Sequence, residues 1–391
     1  MSINPILRVC IVTTAFPRWF GDSRAPFVWG AAKALKDHGL AVRVVAMHNP
    51  GAKSYEMVDE IPIYRPRYLP EGLEVLQKES GGIPQAWKSD PLSRFSLIPF
   101  FFVHALCVSM QARNVEIIHA NWSISGAAAL ITQWIHHKPV VITVQGSDVF
   151  QASKIRLVKE FTRIVLSKAN KVIALSNSLL REATMMGVPL SNIQVIPNGV
   201  DVKLFPMGAS QREPLIVFVG SLIERKGVEY LILAFHKLRE QWPQGKLKII
   251  GDGNQNSYLR NLVNSLGLEN RVEFLGNQPQ SVVSSWLRNA QVLVLPSIEE
   301  GLGVVLLEAL SSGTPCVGSK VGGIADVITP EVGILVPPAD SQKLAEAIYQ
   351  LVRDPQEWTI FSNNARYRAE TVYNWEKIGE KIIEVYKMIL Q

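Results

Sequence analysis

Short apolar runs alternate with longer segments in which apolar residues recur every three or four positions, along almost the whole chain. The runs have the length of buried strands, and the longer segments have the period of helices packed on one face. Strands that alternate with helices predict parallel sheets covered by helices. In the first half, strands are predicted at 8–13, 42–47, 116–120, 140–144 and 171–175, and helices at 27–37, 126–135 and 154–168.

The segment 51–90 interrupts this alternation, since it is rich in Pro, Gly and charged residues, and it predicts loops with short strands. Beyond residue 213 the alternation starts again, which predicts a second domain of the same class. Its strands are predicted at 215–219, 246–250, 271–275, 291–295, 314–318 and 333–336, and its helices at 228–241, 256–266, 280–288 and 303–312.

We therefore predict two doubly wound, Rossmann-like α/β domains, residues 1–202 and 203–373, with a linker at 202–213. Open α/β sheets bind ligands beyond the carboxyl ends of their strands, so we expect the two domains to face a cleft. The last segment, 374–391, predicts an amphipathic helix. Its apolar stripe consists of Ile378, Ile382, Val385, Tyr386 and Ile389.

Composition supports two domains with sizeable cores. The chain has 391 residues, of which 47% are hydrophobic and 19% are charged. Cys10, Cys107 and Cys316 each lie in apolar sequence, which predicts free thiols in a reducing compartment, and no Cys or His spacing indicates a zinc site. Residues 1–5 are not basic and no signal peptide is predicted, so we expect a cytoplasmic location.

Basic residues are concentrated in the first half. Residues 1–205 contain 22 Lys plus Arg against 14 Asp plus Glu, whereas the rest contains 18 against 20. The apolar segment 95–110 lies in this half, carries Pro99 and His104, and is too short to span a bilayer. We predict a buried helix there, with peripheral contact to an anionic membrane as the alternative. Lys and Arg residues spread over solvent-exposed helix faces explain the excess of positive charge equally well.

The segment 292–310 carries the most informative chemistry. An apolar strand, 292–295, is followed by Glu300, Gly301 and Gly303 and then by a helix bearing Glu308. A strand end, a glycine turn and a helix start form an anion site, because unpaired backbone N–H groups point at the ligand. A helical rise of about 1.5 Å per residue separates the two carboxylates by on the order of 10 Å. This spacing fits one long ligand, such as a nucleotide sugar, held at two points.

This pattern resembles the Glu-x7-Glu signature of the family-four retaining glycosyltransferases, which have the two-domain GT-B fold. The segments 217–227 and 195–201 are also similar to that family, and the resemblance runs from about residue 8 to the C-terminus. It implies transfer of a hexose from a nucleotide sugar on the C-terminal domain to an acceptor hydroxyl on the N-terminal domain. It also implies that the terminal helix packs on the N-terminal domain.

The resemblance gives roles to residues of the second domain. Arg225 and Lys226 would stabilise the leaving diphosphate; cations at a helix start oppose the helix dipole, which itself indicates an anion between them. Glu300 would position the transferred sugar, with a catalytic part. Glu308 would accept hydrogen bonds from both ribose hydroxyls. Further donor-binding candidates are Gly220, Gly251, Gly253, Phe274, Asn277, Gly301, Leu302 and Gly303.

Candidates on the acceptor side follow strands of the first domain. Gln145 stands where the family often has a histidine, so a histidine-dependent role is in doubt. Asp148 is then a catalytic candidate that would contact acceptor or donor hydroxyls, with helix capping as the alternative. His119, Asn121 and Gly21 are further candidates for the acceptor or sugar side.

The sequence contains no Asp-x-Asp pair, the pattern with which glycosyltransferases of the other main fold hold a divalent ion. With the basic pair this favours departure of the diphosphate without a metal, and no cofactor is expected. The expected partners are a nucleotide sugar, with UDP ahead of GDP or ADP, and a glycan or lipid-linked acceptor of the cell envelope, but no nucleic acid. A nucleotide-sugar epimerase and a non-catalytic nucleotide-sugar-binding paralogue remain alternatives.

Overall fold

The computed structural model describes residues 6–19, 21–22, 24–76, 83, 91–150 and 155–391. The chain forms two compact units, Met1–Asn198 with Trp375–Gln391, and Gly199–Asn374. The boundary at residue 198 lies four residues before the predicted one, and the terminal helix belongs to the first unit. The predicted fold class is confirmed, because each unit is built on a largely parallel sheet covered by helices.

The first unit contains an eight-stranded sheet in the order β3-β4-β2-β1-β5-β6-β7-β8. Neighbouring strands pair in parallel, except that β3 and β4 form an antiparallel hairpin at the edge. The strands are β1 (Arg8–Thr13), β2 (Ala41–Ala46), β3 (Tyr55–Val58), β4 (Ile61–Tyr64), β5 (Ile117–Asn121), β6 (Val140–Val144), β7 (Lys171–Ala174) and β8 (Ile193–Val195). The hairpin lies inside the segment 51–90, where the sequence predicts short strands.

Helices of the first unit connect these strands. They are α1 (Pro26–Asp37), α2 (Pro91–Ala112), α3 (Ser123–Ile131), α4 (Gln133–His136), α5 (Ser147–Phe150), α6 (Arg156–Lys168) and α7 (Asn177–Met185). The predicted helix 126–135 is in fact two helices that meet at Thr132, whose hydroxyl donates to the carbonyl oxygens of Ala128 and Ala129. Residue 154, where helix 154–168 is predicted to begin, lies outside the described residues.

The prediction for the segment 95–110 is wrong in its length and in its burial, as helix α2 shows. It is 22 residues long and continues through Pro99, so it exceeds the predicted element at both ends. Phe100, Ala105 and Val108 on one face are buried, whereas the opposite face is exposed. Among the described residues, this is the one helix whose length and apolar composition would suffice to cross a membrane.

The apolar stripe of the terminal helix, α15 (Trp375–Leu390), packs into the core of the first unit. Helix α15 packs against α1, and four positions of its predicted stripe lie in the same core cluster as β1 and α1. The fifth, Ile389, packs only partly buried against the cluster. The four core positions are Ile378, Ile382, Val385 and Tyr386.

The second unit has a six-stranded parallel sheet in the order β11-β10-β9-β12-β13-β14. Its strands are β9 (Glu213–Val219), β10 (Lys246–Ile250), β11 (Val272–Gly276), β12 (Ala290–Leu295), β13 (Cys316–Ser319) and β14 (Gly333–Val336). Its helices are α8 (Val228–Lys237), α9 (Asn256–Ser265), α10 (Gln280–Asn289), α11 (Val304–Ser311), α12 (Ile324–Val327), α13 (Ser341–Arg353) and α14 (Pro355–Arg368). The three cysteines of the chain are free, as predicted.

Candidate active site

The loops that follow β9 and β12 lie side by side, because these two strands are neighbours in the second sheet. The sheet changes direction here: β10 and β11 lie on one side of β9, and β12 to β14 lie on the other. Ligands of open α/β sheets bind at such a switch point. The backbone N–H of Ile298 donates to the carbonyl oxygen of Arg225 over 2.8 Å. This contact brings the basic pair and Glu300 into one site, although 74 residues separate Lys226 from Glu300.

Glu300 is buried, and its charge is balanced by its neighbours. Its Oε2 atom accepts a hydrogen bond from the Lys226 ammonium and one from the Ser297 hydroxyl, the latter over 3.3 Å. Burial alone raises the pKa of Glu300, but Lys226, then Arg225 and Ser297, outweigh it and lower the pKa below its ordinary value. Glu300 is therefore an ionised carboxylate at neutral pH, and it fixes the direction of the Lys226 side chain.

Gly227 allows the turn that carries Arg225 and Lys226 to approach the loop after β12. Arg225 and Lys226 lie in a short 3₁₀ turn, Glu224–Lys226, and Gly227 follows it with φ of 62° before α8 begins. A Cβ atom at this position would collide with the carbonyl oxygen of Pro296. Only glycine fits both the left-handed backbone and the contact, so this residue sets the distance between the two loops.

Glu308 has different surroundings from Glu300. It is buried on α11, and its hydrogen-bond donor is the side-chain amide of Gln280, at 3.3 Å. Burial raises the pKa of Glu308 to about 7, although the bond from Gln280 acts in the opposite direction. A ligand that offers two hydroxyl donors would favour the ionised form, because a carboxylate accepts hydrogen bonds and its acid form must donate one.

The start of α11 is suited to an anion. The residue before the helix is Gly303, with φ of 82°, and no side chain caps the first turn. Leu302 is buried beside it and Gly301 precedes it in the loop. First-turn N–H groups without a cap, together with the positive end of the helix dipole, attract a negatively charged ligand.

Three further glycines that were predicted to bind the donor, Gly220, Gly251 and Gly253, make contacts within the protein. Gly220 donates its backbone N–H to Ile250, at 2.9 Å, and Gly251 donates its own to Gly276, at 2.8 Å. A Cβ atom at Gly251 or Gly253 would collide with the backbone of the loop that follows β9. These glycines therefore hold the loops after β9, β10 and β11 together, which is a structural reason for their presence.

Phe274 and Asn277 differ in their placement. Phe274 is half-buried at β11, and the guanidinium of Arg260 lies 4.6 Å from the centre of its ring. Asn277 is exposed in the turn after β11. Asn277 therefore lies at the carboxyl edge of the second sheet, where the resemblance expects contact with the nucleotide base, whereas Phe274 lies in the middle of β11.

In the first unit, the ends of β5 and β6 form a polar cluster. The Gln145 amide donates to the Asn121 side-chain oxygen over 2.8 Å. Asp148 Oδ1 accepts the backbone N–H groups of Gln145 and Gly146 at 3.1 and 3.0 Å. This bonding fits the structural alternative for Asp148, because one of its oxygens closes the turn that leads into α5.

The second oxygen of Asp148, Oδ2, is buried and has no hydrogen-bond partner among the described residues. Burial raises the pKa of Asp148 to about 6, against the opposing effect of backbone N–H groups that include those of Gln145, Gly146 and Ser123. The carboxyl thus has one oxygen that closes a turn and one buried oxygen whose hydrogen-bonding capacity is unused.

His119 does not occupy the open position expected of an acceptor contact. It is buried in β5, and both ring nitrogens are used inside the unit, at 2.6 Å from the Tyr386 hydroxyl and 2.7 Å from the Thr143 hydroxyl. Burial lowers its pKa to about 4, so the ring is neutral. The histidine links α15 to β6, and a strand-end position in the sequence could not distinguish this role from ligand binding.

Gly21 lies in an exposed turn after β1, with φ of 87° and open space around it. Next to it, Asp22 is tied to Arg18 by hydrogen bonds of 2.8 and 3.1 Å. The loop therefore presents a backbone turn, while its carboxylate is already paired.

Two residues of the second unit that support the carboxylates were not predicted as site residues. Ser297 lies within the segment 292–310 and supports Glu300, and its spacing of three residues from that carboxylate is a signal that could have identified it. Gln280 supports Glu308 from 28 residues away on α10, and no local pattern indicates that contact. Within the described residues, no group of three or more His, Cys, Asp or Glu side chains is placed to hold a metal ion.

Two family models match successive parts of the chain. Residues 26–204 match Glycosyltransferase Family 4, and residues 202–368 match Glycosyl transferases group 1. The chain is 34% identical to an uncharacterized glycosyltransferase of Methanocaldococcus jannaschii, over 98% of this chain and 99% of that protein.

Solved structures agree in fold. Sucrose-phosphate synthase from Thermosynechococcus elongatus superposes with a TM-score of 0.80 at 23% identity, over 98% of this chain and 99% of that one. Anabaena HepE in complex with UDP-glucose superposes with a TM-score of 0.76 at 20% identity, over 98% and 100% of the two chains.

Proposed function

The chain belongs to the family-four, group 1 glycosyltransferases, and from this premise we propose that it transfers a hexose from a nucleotide diphosphate sugar to an acceptor hydroxyl. We further propose that the anomeric configuration is retained and that no metal ion is needed. The observation that carries the proposal is the joining of Arg225, Lys226 and Glu300 at the switch point of the second sheet.

The basic pair supplies the charge that diphosphate departure requires. In the transfer, the acceptor oxygen bonds to the anomeric carbon on the face that the diphosphate leaves. The bond from that carbon to the diphosphate breaks, its electron pair goes to the diphosphate, and the acceptor proton passes to a diphosphate oxygen. Lys226 and Arg225 stabilise the growing negative charge, and their fixed cations replace the ion that other transferases bind.

Glu300 and Glu308 hold the two ends of the donor in this proposal. Glu300 is ionised and directs Lys226, and it positions the sugar hydroxyls. Glu308 accepts both ribose hydroxyls, for which its buried carboxyl must lose its proton. The uncapped start of α11, with Gly301, Leu302 and Gly303 before it, receives the phosphates.

The acceptor-side proposal rests on the first unit. Asp148, through its Oδ2 atom, contacts a hydroxyl of acceptor or sugar, and the Asn121–Gln145 pair offers further polar groups. Gln145 cannot carry a positive charge as a histidine would, so it orients a hydroxyl by hydrogen bonding alone.

We propose UDP ahead of GDP or ADP as the donor nucleotide, with support from the UDP-glucose complex of Anabaena HepE, which shares this fold. We propose that the acceptor is a glycan or a lipid-linked precursor of the cell envelope. The reaction would then take place in the cytoplasm, at the inner face of the membrane.

The first experiment is a thermal-shift and product-release screen of nucleotide sugars, with EDTA and with added magnesium. We expect one nucleotide series to stabilise the protein and to be hydrolysed slowly in EDTA. Stabilisation without release, even with acceptors, would identify a non-catalytic paralogue. Conversion of the donor sugar to its epimer without an acceptor would identify an epimerase, and strict dependence on magnesium would overturn the metal-free step.

A further inference from the structure

Helices α2, α3, α4 and α6 form one layer on the sheet of the first unit. Helix α2 packs on β1, β2 and α3, and α3 packs on β5, β6 and α6. We call the outward side of this layer the outer helical face. Nearly half of the exposed large hydrophobic side chains of the described residues lie on these helices or at residue 155, just before α6.

Helix α2 contributes a continuous apolar stripe to the outer helical face. Its exposed residues are spaced by three or four positions, which places them on one side of a helix. Phe102 is 68% exposed, and the other members are more than half exposed. The stripe consists of Phe95, Ile98, Phe102, Leu106 and Met110.

Helices α4 and α6 of the same layer carry further exposed apolar residues. Trp134 on α4 is 74% exposed, and Ile131 and Ile135 lie on either side of it in the chain. On α6, Leu157 is 83% exposed, and Phe161 follows it one turn later. Exposed large apolar side chains are thus grouped on neighbouring helices of one layer, and such grouping generally marks an interaction surface.

Positive charge accompanies this surface. Helix α6 carries Arg156, Lys159, Arg163 and Lys168 among its apolar residues, and its single acidic residue, Glu160, pairs with Arg163 at 2.9 Å. The helix therefore presents apolar side chains with an excess of cations beside them. Helices that lie in the interface of an anionic bilayer have this composition, with large apolar residues on one face and Lys or Arg around it.

We propose that the outer helical face docks the protein on an anionic lipid bilayer. The apolar residues of α2, α4 and α6 enter the boundary between headgroups and acyl chains, Trp134 lies at the headgroup level, and the cations of α6 contact lipid phosphates. This inference deepens the proposed location at the membrane and rests on it, but it does not depend on the donor chemistry.

Two other uses of this surface fit the structure less well. Helix α2 packs on β1 and β2 through its buried face, so spanning a bilayer would require it to leave the core. A second copy docked about a two-fold axis would bury the same patch on both copies. The cations of both α6 helices would then lie in or beside one apolar interface that brings them no added negative charge from this face, which is unfavourable.

The test is flotation of the full-length protein with vesicles of phosphatidylcholine, alone or mixed with phosphatidylglycerol. We expect binding to the mixed vesicles only. The variant Phe102→Gln Leu157→Gln should weaken binding by about tenfold or more, because two large apolar side chains are lost from the contact. The charge variant Arg156→Glu Lys159→Glu should lose the preference for the anionic lipid.

The matched control is Ile360→Gln Tyr367→Gln on α14, which removes two apolar side chains that are 62% and 68% exposed in the second unit. It should bind like the unaltered protein. Equal binding by the Phe102 Leu157 variant, or equal binding to both vesicle types, would overturn the proposal. So would a dimer in light scattering that the same variant converts to a monomer without any vesicle binding.

A measurement of donor turnover in the same variants distinguishes failure of the docking surface from failure of the proposed transferase function. None of the altered residues belongs to the donor site, so hydrolysis of the nucleotide sugar should be unchanged in every variant. A protein that turns over its donor but ignores vesicles contradicts the docking surface alone. Lipid-dependent flotation of a protein that turns over no donor contradicts the transferase proposal and leaves the docking surface in place.

Discussion

At the scale of single residues, the position of Lys226 depends on a partner that lies 74 residues away in sequence. It is paired with Glu300, and Glu300 is buried. A lysine directed in this way loses less conformational entropy when it binds a phosphate than one that is free in solvent. The pair therefore prepares the cation for the diphosphate and keeps the carboxylate ionised.

Replacing Lys226 by Ala should lower kcat by about a hundredfold to a thousandfold, as for loss of one preorganised donor to a developing negative charge. Steady-state release of nucleotide from the donor found in the screen measures this. The control is Lys343→Ala, which removes a lysine paired with Glu346 on the surface of α13. Turnover of Lys226→Ala within a factor of two or so of the control would remove Lys226 from the catalytic assignment.

The pKa of Glu308 predicts how donor affinity depends on pH. Burial keeps much of this carboxyl protonated near neutral pH, and the ribose diol requires the ionised form. Binding should therefore release a proton, and affinity should rise with pH up to about 7 and then level off. Calorimetry of UDP-glucose in buffers of different ionisation enthalpy measures the proton release. Glu308→Gln should bind more weakly and without this dependence; the same dependence in that variant would assign the proton to another group.

The same shift has a consequence for stability. The pKa of Glu308 is higher in the folded protein than the ordinary value of 4.5 that applies to the unfolded chain. Its contribution to stability is thus fully present below about pH 4.5 and is lost as the pH rises through about 7. The stability lost on ionisation is the cost of burying a carboxylate that the donor, when bound, supplies with hydrogen bonds.

At the scale of elements, a comparison of Gly227 with Gly267 separates two costs. One is the cost of disturbing the contact between the loops after β9 and β12, and the other is the cost of a left-handed backbone. Gly227 and Gly267 have nearly equal φ values, 62° and 66°, but only Gly227 is crowded by the neighbouring loop. Gly267→Ala should therefore show only the cost of a left-handed backbone, about 1–2 kcal/mol. Gly227→Ala should cost more than this, because the loop after β9 must also move away from Pro296.

Urea unfolding of both variants, with donor turnover measured beside it, checks this expectation. Gly227→Ala should lose turnover because Arg225 and Lys226 move with the loop, whereas Gly267→Ala should retain it. If the two variants lost equal stability and equal activity, the close approach of the two loops would have no part in setting the site.

Most strands could be predicted from the sequence to within about two residues, because buried parallel strands are apolar on both faces and stand out from the amphipathic helices. The edge strand β8 was not predicted, and the β3–β4 hairpin was predicted only as short strands within 51–90. Helices α7, α13 and α14 were not predicted. Helix α2 begins four residues before the predicted segment 95–110 and ends two residues after it. The break at Thr132 depends on a hydroxyl bonding to the preceding turn, which competes with the helix locally.

The candidate site was predictable where its residues follow strand ends. The motif around Glu300 and the basic pair at 225–226 each include a strand, so the sheet order brings them together. His119 follows the same pattern, but a residue from the other end of the chain, Tyr386, occupies its ring nitrogen. Contacts between segments that are distant in sequence decide such cases, and the local pattern does not contain them.

At the scale of the whole molecule, the two units differ in continuity. Gly199–Asn374 is one unbroken segment, whereas the first unit needs Trp375–Gln391 to complete its core. We therefore expect residues 199–374 expressed alone to unfold cooperatively in urea and to bind the donor nucleotide. Residues 1–198 alone should lack a cooperative transition, because the core around Leu35 and Ile11 loses the apolar face of α15. Addition of a peptide of residues 375–391 should restore the transition.

Each part of this expectation has a result that would contradict it. A cooperative transition of residues 1–198 without the peptide would show that α15 is dispensable for the core. Failure of residues 199–374 to fold alone would show that the continuous segment depends on the first unit.

The return of α15 to the first unit also fixes an order of events during synthesis. Domains generally fold as they leave the ribosome, starting from the N-terminus. Here the unit translated first cannot close its core until residues 375–391 have emerged, so the unit translated second completes its fold earlier. A message that stops just before residue 375 would yield a folded second unit attached to an incomplete first unit, which quality-control proteases can recognise by its exposed apolar surface. Helix α15 thus makes folding of the first unit depend on translation of the second.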